Sequence, residues 1–171
     1  MTAFNLCAQP FKYHVETSKY MKNKIIIGIV ILAAVGLGYW YFAPPQDILQ
    51  YHFAEHTNLA LHHHINLTIL ISNNSMQIPA DIGIDDKGMR VVHTHDDTGR
   101  IHIEGPYPHD FYLKDFFTVW GKRFDNQCIM NYCVNDKHTL TVMVNGVQSD
   151  DYENILMVDE DVVIIDYRTI S

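Results

Sequence analysis

Hydrophobic and polar residues alternate strictly between Leu61 and Ile71, and this alternation predicts a half-buried strand. Because successive side chains of a strand point to opposite faces, one set faces a core and the other faces away from it. The apolar set contains one histidine, His63, which we expect to be a core histidine with a hydrogen-bond partner. The opposite set consists of His62, His64, Asn66, Thr68 and Leu70.

Residues 92–104 alternate in the same way and predict a β-hairpin. If Asp96 to Gly99 form a four-residue loop, His93 lies opposite His102 on the returning strand. That register gathers the apolar side chains of Val92, Ile101 and Ile103 on one face. The other face then carries His93, His95, His102 and Glu104.

An amphipathic helix is predicted after the hairpin, because apolar residues there follow helical spacing. We expect Asp110 to cap its start and Gly121 to end it. The apolar stripe, which we expect to pack against the sheet, is formed by Leu113, Phe116, Phe117, Trp120 and Phe124.

The remaining pattern is β. Residues 76–84 predict a strand returning along residues 61–71, interrupted by Pro79, and residues 139–144 and 162–165 predict two later strands. Asn145-Gly146 is a strong hairpin signal. Five or six strands and one helix make a small, mostly antiparallel α+β domain. The order of hairpin, helix, hairpin and last strand is similar to that of a β-grasp fold.

An uncharged run of 18 residues, 25–42, predicts a transmembrane helix. Lysines precede the run, and Tyr39, Trp40 and Tyr41 close it as an interfacial belt, so we expect a cytoplasmic N-terminus. The competing interpretations are a cleaved signal peptide and a buried core helix. The predicted organisation is a cytoplasmic tail at 1–24, the membrane helix at 25–42, a stalk at 43–60 and an extracytoplasmic domain at 61–171.

The charge distribution agrees with this organisation. Residues 1–24 carry a net charge of +3, residues 46–171 carry −11, and the whole chain carries −8. An acidic domain repels phosphate backbones, so nucleic acid is not an expected partner. The expected partners are the membrane, through residues 25–42, and other subunits of a membrane complex.

The histidine-bearing sheet face is the main candidate for chemistry. Imidazole nitrogens and carboxylates are ligands that zinc and copper prefer. His93, His95 and His102 are the first-choice ligands, and Glu104, His62 and His64 are the second choices if the two strands are neighbours. The alternative is a polar sheet face, exposed to solvent, that happens to carry histidines.

Cys128 and Cys133 are five residues apart, and outside the cell they are expected to form a local disulfide. The alternative is a thiolate site for copper, with Met130 nearby.

The sequence from His93 to Glu104, together with Phe111 and the Phe116–Gly121 segment, resembles an uncharacterised family of membrane-anchored, histidine-rich extracytoplasmic proteins of archaea, especially ammonia-oxidising ones, and of some bacteria. The His62-x-His64 pair and residues 78–83 are also similar, so the resemblance covers most of 62–167. It implies an extracytoplasmic location, and its lineage's use of copper outside the cell implies copper as the metal.

We therefore expect a membrane-anchored protein that binds copper, or else zinc, for storage or delivery or as an accessory subunit of a membrane complex. One alternative is a structural subunit without metal. A second is a metal-dependent hydrolase, with Asp96, Asp97 or Glu104 near a histidine, although residues 1–171 contain none of the common nucleophile, zinc-protease or phosphate-loop motifs.

Overall fold

The computed structural model describes residues 16–42, 47–53 and 59–170, and the chain divides into two compact units, residues 1–46 and 47–171. Within the described residues the chain is α+β, as predicted, with two α-helices and mostly antiparallel sheets. The helices are α1 (Glu16–Phe42) and α2 (Leu113–Trp120). The strands are β1 (His52–Phe53), β2 (Leu61–Ile71), β3 (Asn74–Met76), β4 (Ile84–Asp85), β5 (Gly88–Arg90), β6 (Val92–His93), β7 (Arg100–Gly105), β8 (Cys128–Ile129), β9 (Tyr132–Cys133), β10 (His138–Val144), β11 (Val147–Ser149) and β12 (Val162–Thr169).

Helix α1 contains the uncharged run 25–42. Its aliphatic side chains from Ile25 to Leu37 are exposed where they are described. Among the residues that the structure describes, no helix is long and apolar enough to cross a membrane. The membrane segment therefore stays a prediction. The predicted tail and stalk, and the side chains of the aromatic belt, lie wholly or partly outside the described residues.

The C-terminal unit is built on one large sheet in the order β11-β10-β12-β2-β7-β6, with β3 paired to β2. Strands β12 and β2 are parallel and lie at its centre, and the other pairs are antiparallel. The predicted strand at 61–71 is confirmed with the same bounds, and its burial alternates as predicted from Ile65 to Ile69. His63, which we expected in the core, is only half-buried. The strands predicted at 139–144 and 162–165 are also present, each in a longer form.

The core lies on the apolar face of this sheet. Ile65, Ile69, Ile101 and Ile165 are fully buried there, and α2 contributes the buried side chains of Leu113, Phe116 and Phe117. A tightly packed apolar face fixes the strand register, because a slip of one residue would turn these side chains away from the core. The packing thereby also fixes which residues share the opposite face.

The predicted cap of α2 is wrong at the N-terminus and correct at the C-terminus. The helix begins at Leu113 with Tyr112 in the capping position, and the Asp115 carboxylate accepts a hydrogen bond from the Tyr112 backbone N–H at 2.7 Å. Asp115 thus holds the capping residue from within the first turn, and Asp110 lies outside the helix. Gly121 adopts a left-handed conformation, with φ of 68°, and ends the helix before Phe124.

The C-terminal unit begins at Asp47 and so includes part of the segment predicted as a stalk. Strand β1 pairs with β5, which in turn pairs with β4, in a small second sheet. This pairing brings the Phe53 ring to within 6.0 Å of the His93 ring. The sequence did not reveal this pairing, because strands β1 and β5 are short and about 36 residues separate them.

The strand predicted at 76–84 is wrong beyond Met76. Strand β3 ends there, and turns follow because Asp81 and Gly83 adopt positive φ angles of 61° and 76°.

Further along the chain, the hairpin predicted at Asn145-Gly146 is confirmed, with both residues at positive φ between β10 and β11. The predicted disulfide between Cys128 and Cys133 is also confirmed, with an S–S distance of 2.09 Å, so these sulfur atoms do not form a thiolate site.

Candidate metal centre

Three neighbouring strands and the bend after β6 bring five histidines together on one side of the large sheet. Strand β7 lies between β2 and β6, and His102 is directly opposite His64 on one side and His93 on the other. The predicted His93–His102 register is therefore confirmed, and the neighbouring position of β2 brings in the second pair of histidines. His62 and His95 lie next to His64 and His93, with ring centroids 4.7 Å apart in each pair.

His93 is fully buried, and its orientation is fixed on both sides of the ring. Nδ1 donates a hydrogen bond to the Arg90 carbonyl oxygen at 2.9 Å, since a carbonyl oxygen only accepts. The neutral ring then carries its lone pair on Nε2, which lies 3.1 Å from Nε2 of His95. A backbone carbonyl that holds one ring nitrogen while the other meets further imidazoles is the usual arrangement behind a metal-bound histidine.

His102 lies at the centre of the cluster. Its ring is stacked on that of His93 with centroids 5.3 Å apart, and it meets the rings of His95 and His64 edge to face at 4.7 and 4.8 Å. Within the part of the chain that the structure describes, its buried Nδ1 has no hydrogen-bond partner. The Glu104 carboxylate lies 3.6 Å from this nitrogen, which is too long for a hydrogen bond.

Glu104 lies beneath the cluster with 1% of its surface exposed. Its Oε1 atom is 3.2 Å from Nε2 of His62 and 3.6 Å from Nδ1 of His102. The sequence proposed Glu104 as a possible ligand, and the structure places it against two of the imidazoles. A buried carboxylate in this position orients the rings and favours a positive charge among them.

Burial favours the neutral form of three of these imidazoles, because it lowers their pKa values. Burial above all lowers the pKa of His93 to about 4, against the opposing effect of the Glu104 carboxylate. Burial is also the largest cause of the lowered pKa values of His102 and His64. Because only the neutral ring has a lone pair to donate, these shifts favour metal binding over protonation.

The ring nitrogens are close enough to share an ion. In each of two sets of three histidines, the ligand atoms all lie within 4.8 Å of one another. Nitrogens bound to one tetrahedral zinc ion at about 2.0–2.1 Å would lie roughly 3.4 Å apart. The nitrogens would therefore have to approach one another by about 1.4 Å at most to reach ligand positions. The two sets are His93, His95 and His102, and His62, His64 and His102.

Two acidic residues that the sequence analysis missed lie beside His64. Asp159 accepts a hydrogen bond from the His64 backbone N–H at 2.8 Å, and Glu160 has a carboxylate oxygen 3.8 Å from Nδ1 of His64. These three residues form a further set with ligand atoms within 4.8 Å. No local pattern could have revealed it, because the contact depends on the parallel pairing of β12 with β2.

His95 is exposed and connects the cluster to an open cleft of about 620 Å³. The cleft is lined by Gln77, Pro79, Ala80, His95, Asp96 and Asp97. An ion held by His95 would therefore be accessible from solvent on this side.

Comparison with known proteins identifies no relative of this chain. No protein-family model, curated protein or solved structure matches the chain.

Proposed function

We propose that this protein binds a transition-metal ion through His93, His95 and His102. The observation that carries the proposal is the convergence of these three ring nitrogens within 4.8 Å, with His93 oriented by the Arg90 carbonyl. Histidine sets of this kind suit both copper and zinc. Copper is our first choice, because the sequence resembles a family whose lineage uses copper outside the cell, and zinc is the second.

We propose further that the domain is extracytoplasmic and anchored by residues 25–42. Support comes from the lysines before that run, from its exposed aliphatic side chains, and from the disulfide, which is typical of an oxidising compartment. The order of the large sheet, with the last strand parallel to the first long one, supports a β-grasp-like fold. Such a protein would serve in metal storage or delivery, or as an accessory subunit of a membrane complex.

A metal-dependent hydrolase is the second candidate, favoured by the cleft beside His95. A catalytic zinc site has three protein ligands and an open position for water, and the cleft would supply that access. Hydrolysis of a test ester that depends on added zinc, and that is lost in His95→Gln, would favour this candidate over storage.

Elemental analysis of the full-length chain tests the metal proposal. The untagged protein, kept in solution with detergent, is stripped with chelator, loaded with copper or zinc at pH 7.5 and freed of unbound metal. We expect a stoichiometric ion in the wild type and one ion fewer in His93→Gln/His95→Gln. His138→Gln is the matched control, because His138 lies on β10, two strands from β2 in the same sheet.

The glutamine side chain is chosen because it can still donate to the Arg90 carbonyl and fill the buried space at position 93. Far-ultraviolet circular dichroism checks that each variant is folded. A wild type without stoichiometric metal would leave the structural-subunit alternative, and equal metal in the wild type and in His93→Gln/His95→Gln would move the site away from these residues.

A further inference from the structure

His102 belongs to both sets of three histidines, and this shared position bears on how many ions the cluster can hold. Strand β7 lies between β2 and β6, so the His62–His64 pair and the His93–His95 pair flank His102 on opposite sides. An imidazole has two ring nitrogens that point in different directions. One residue in this position can therefore serve a separate ion on each side.

The orientation of the His102 ring fits this division. Glu104 Oε1 is 3.6 Å from Nδ1 of His102 and 3.2 Å from Nε2 of His62, so Nδ1 faces the His62 side of the cluster. This Nδ1 is buried and has no hydrogen-bond partner among the described residues. A buried polar group without a partner is unfavourable, and a bound ion would satisfy it.

We propose that the cluster takes two transition-metal ions and that His102 ligates both, one through each ring nitrogen. His62 and His64 complete the ligands of one ion, and His93 and His95 complete those of the other. This inference rests on the proposed metal-binding function. Neutral His102 carries one N–H proton, which passes to solvent when the second ion binds, and no electron is transferred.

The carboxylates around the cluster offset the charge of a second ion. Glu104 is buried under the His62 side, and Asp159 and Glu160 have oxygens 3.9 and 3.8 Å from Nδ1 of His64. All three carboxylates thus lie on or near the side where the second ion would bind. Nearby negative charge lowers the repulsion between two divalent ions held a few ångströms apart.

Copper loading of the full-length chain, followed by elemental analysis and electron paramagnetic resonance, tests the inference. Two Cu(II) ions joined by one imidazole ring couple their spins, whereas two separate Cu(II) ions do not. We expect two copper ions per chain in the wild type, with a low-temperature spin count well below two. His62→Gln/His64→Gln should hold one copper ion with one spin, and His138→Gln should behave as the wild type.

The outcomes separate this inference from the proposed function. A single copper ion in the wild type, lost in His93→Gln/His95→Gln, would overturn the two-ion arrangement and leave the function standing. No stoichiometric copper would overturn both. Two copper ions with two full spins would refute the shared ligand, and this measurement needs only the wild-type protein.

Discussion

His93 and His102 lie directly opposite each other on β6 and β7, and their rings stack with centroids 5.3 Å apart and an interplanar angle of 19°. The two residues come from one hairpin, so a short piece of chain already provides two candidate ligands. Burial lowers the pKa of both rings, and a positive charge on His102 further lowers the pKa of His93. The pair is therefore kept neutral and available to a metal ion.

The buried position of His93 should make the stability of the metal-free protein depend on pH. The folded-state pKa of about 4 lies below the unfolded value of 6.5, so the unfolded chain binds the proton more tightly. The stabilisation is therefore complete above about pH 6.5 and is lost as the pH falls toward 4. The lowered pKa values of His64 and His102 act in the same direction.

We expect the free energy of unfolding to fall by about 2 kcal/mol between pH 7 and pH 5 from His93 alone. Urea titrations with chelator present, followed by Trp120 fluorescence in a Trp40→Phe background, measure this change. In His93→Gln the dependence should be shallower by about the same amount. An equally steep dependence in the variant would show that His93 does not titrate as its burial implies.

Gly83 should be essential for the position of His93. A Cβ atom added at Gly83 would lie 2.5 Å from the Val92 carbonyl oxygen, 2.9 Å from Cγ1 of Val119 and 3.3 Å from Cβ of His93, and φ is +76°. We expect Gly83→Ala to destabilise the C-terminal unit by about 2–5 kcal/mol, since steric overlap adds to backbone strain. It should also lower the affinity for metal, because Val92 and His93 must move.

Gly146→Ala is the matched control for Gly83→Ala. Its φ is +82°, but an added Cβ would meet nothing within 4 Å. The control should therefore cost only the backbone strain, about 1–2 kcal/mol, and leave metal binding unchanged. Thermal unfolding and metal affinity are measured on both variants. Equal losses of stability and affinity in the two would mean that the close contacts around Gly83 do not contribute.

The parts of this site that could be predicted are those that depend on local alternation. The register of His93 with His102 follows from keeping Ile101 and Ile103 on one face of a hairpin, and the structure agrees. The contact of His64 with Asp159 could not be predicted in this way, because 95 residues separate them. Its origin is the parallel pairing of β12 with β2, which no short pattern encodes.

The start of α2 shows a second limit of prediction from the sequence. Asp110 and Asp115 are both capping residue types near the predicted start, and the helical spacing of apolar residues does not choose between them. The backbone N–H of Tyr112 is reached by Asp115, which lies three residues into the segment. Helix boundaries depend on such single hydrogen bonds, whereas the apolar stripe depends on the whole element.

Glu104 should tune metal affinity without determining the number of ions. Glu104→Gln keeps the shape of the side chain but removes the negative charge beside His62 and His102. We expect the affinity for copper or zinc to fall by about 10–100-fold, with the same metal content at saturation, as is usual for residues that orient metal ligands. Competition with a chelator of known affinity provides the measurement.

Glu160→Gln is the control for the Glu104 variant, because the Glu160 carboxylate is exposed and lies on the His64 side of the cluster, where it also pairs with Arg100. We expect a smaller effect there, since solvent screens exposed charges. If Glu104→Gln lost a whole ion per chain, Glu104 would be a ligand itself. If it changed neither affinity nor content, the buried carboxylate would have no part in the site.

The disulfide should matter for stability and not for metal binding. Cys128 and Cys133 close a short loop between β8 and β9, and neither residue belongs to the histidine sets found among the described residues. A loop of this length is expected to stabilise the folded state by about 2 kcal/mol. Cys128→Ser/Cys133→Ser should therefore unfold at a lower urea concentration while retaining the wild-type metal content.

The same measurement on wild-type protein treated with reductant should give a similar loss of stability, because the serine variant differs from it chiefly in the sulfur atoms. A loss of copper in the serine variant, with the fold intact by circular dichroism, would show that the metal site depends on the disulfide and would contradict this prediction.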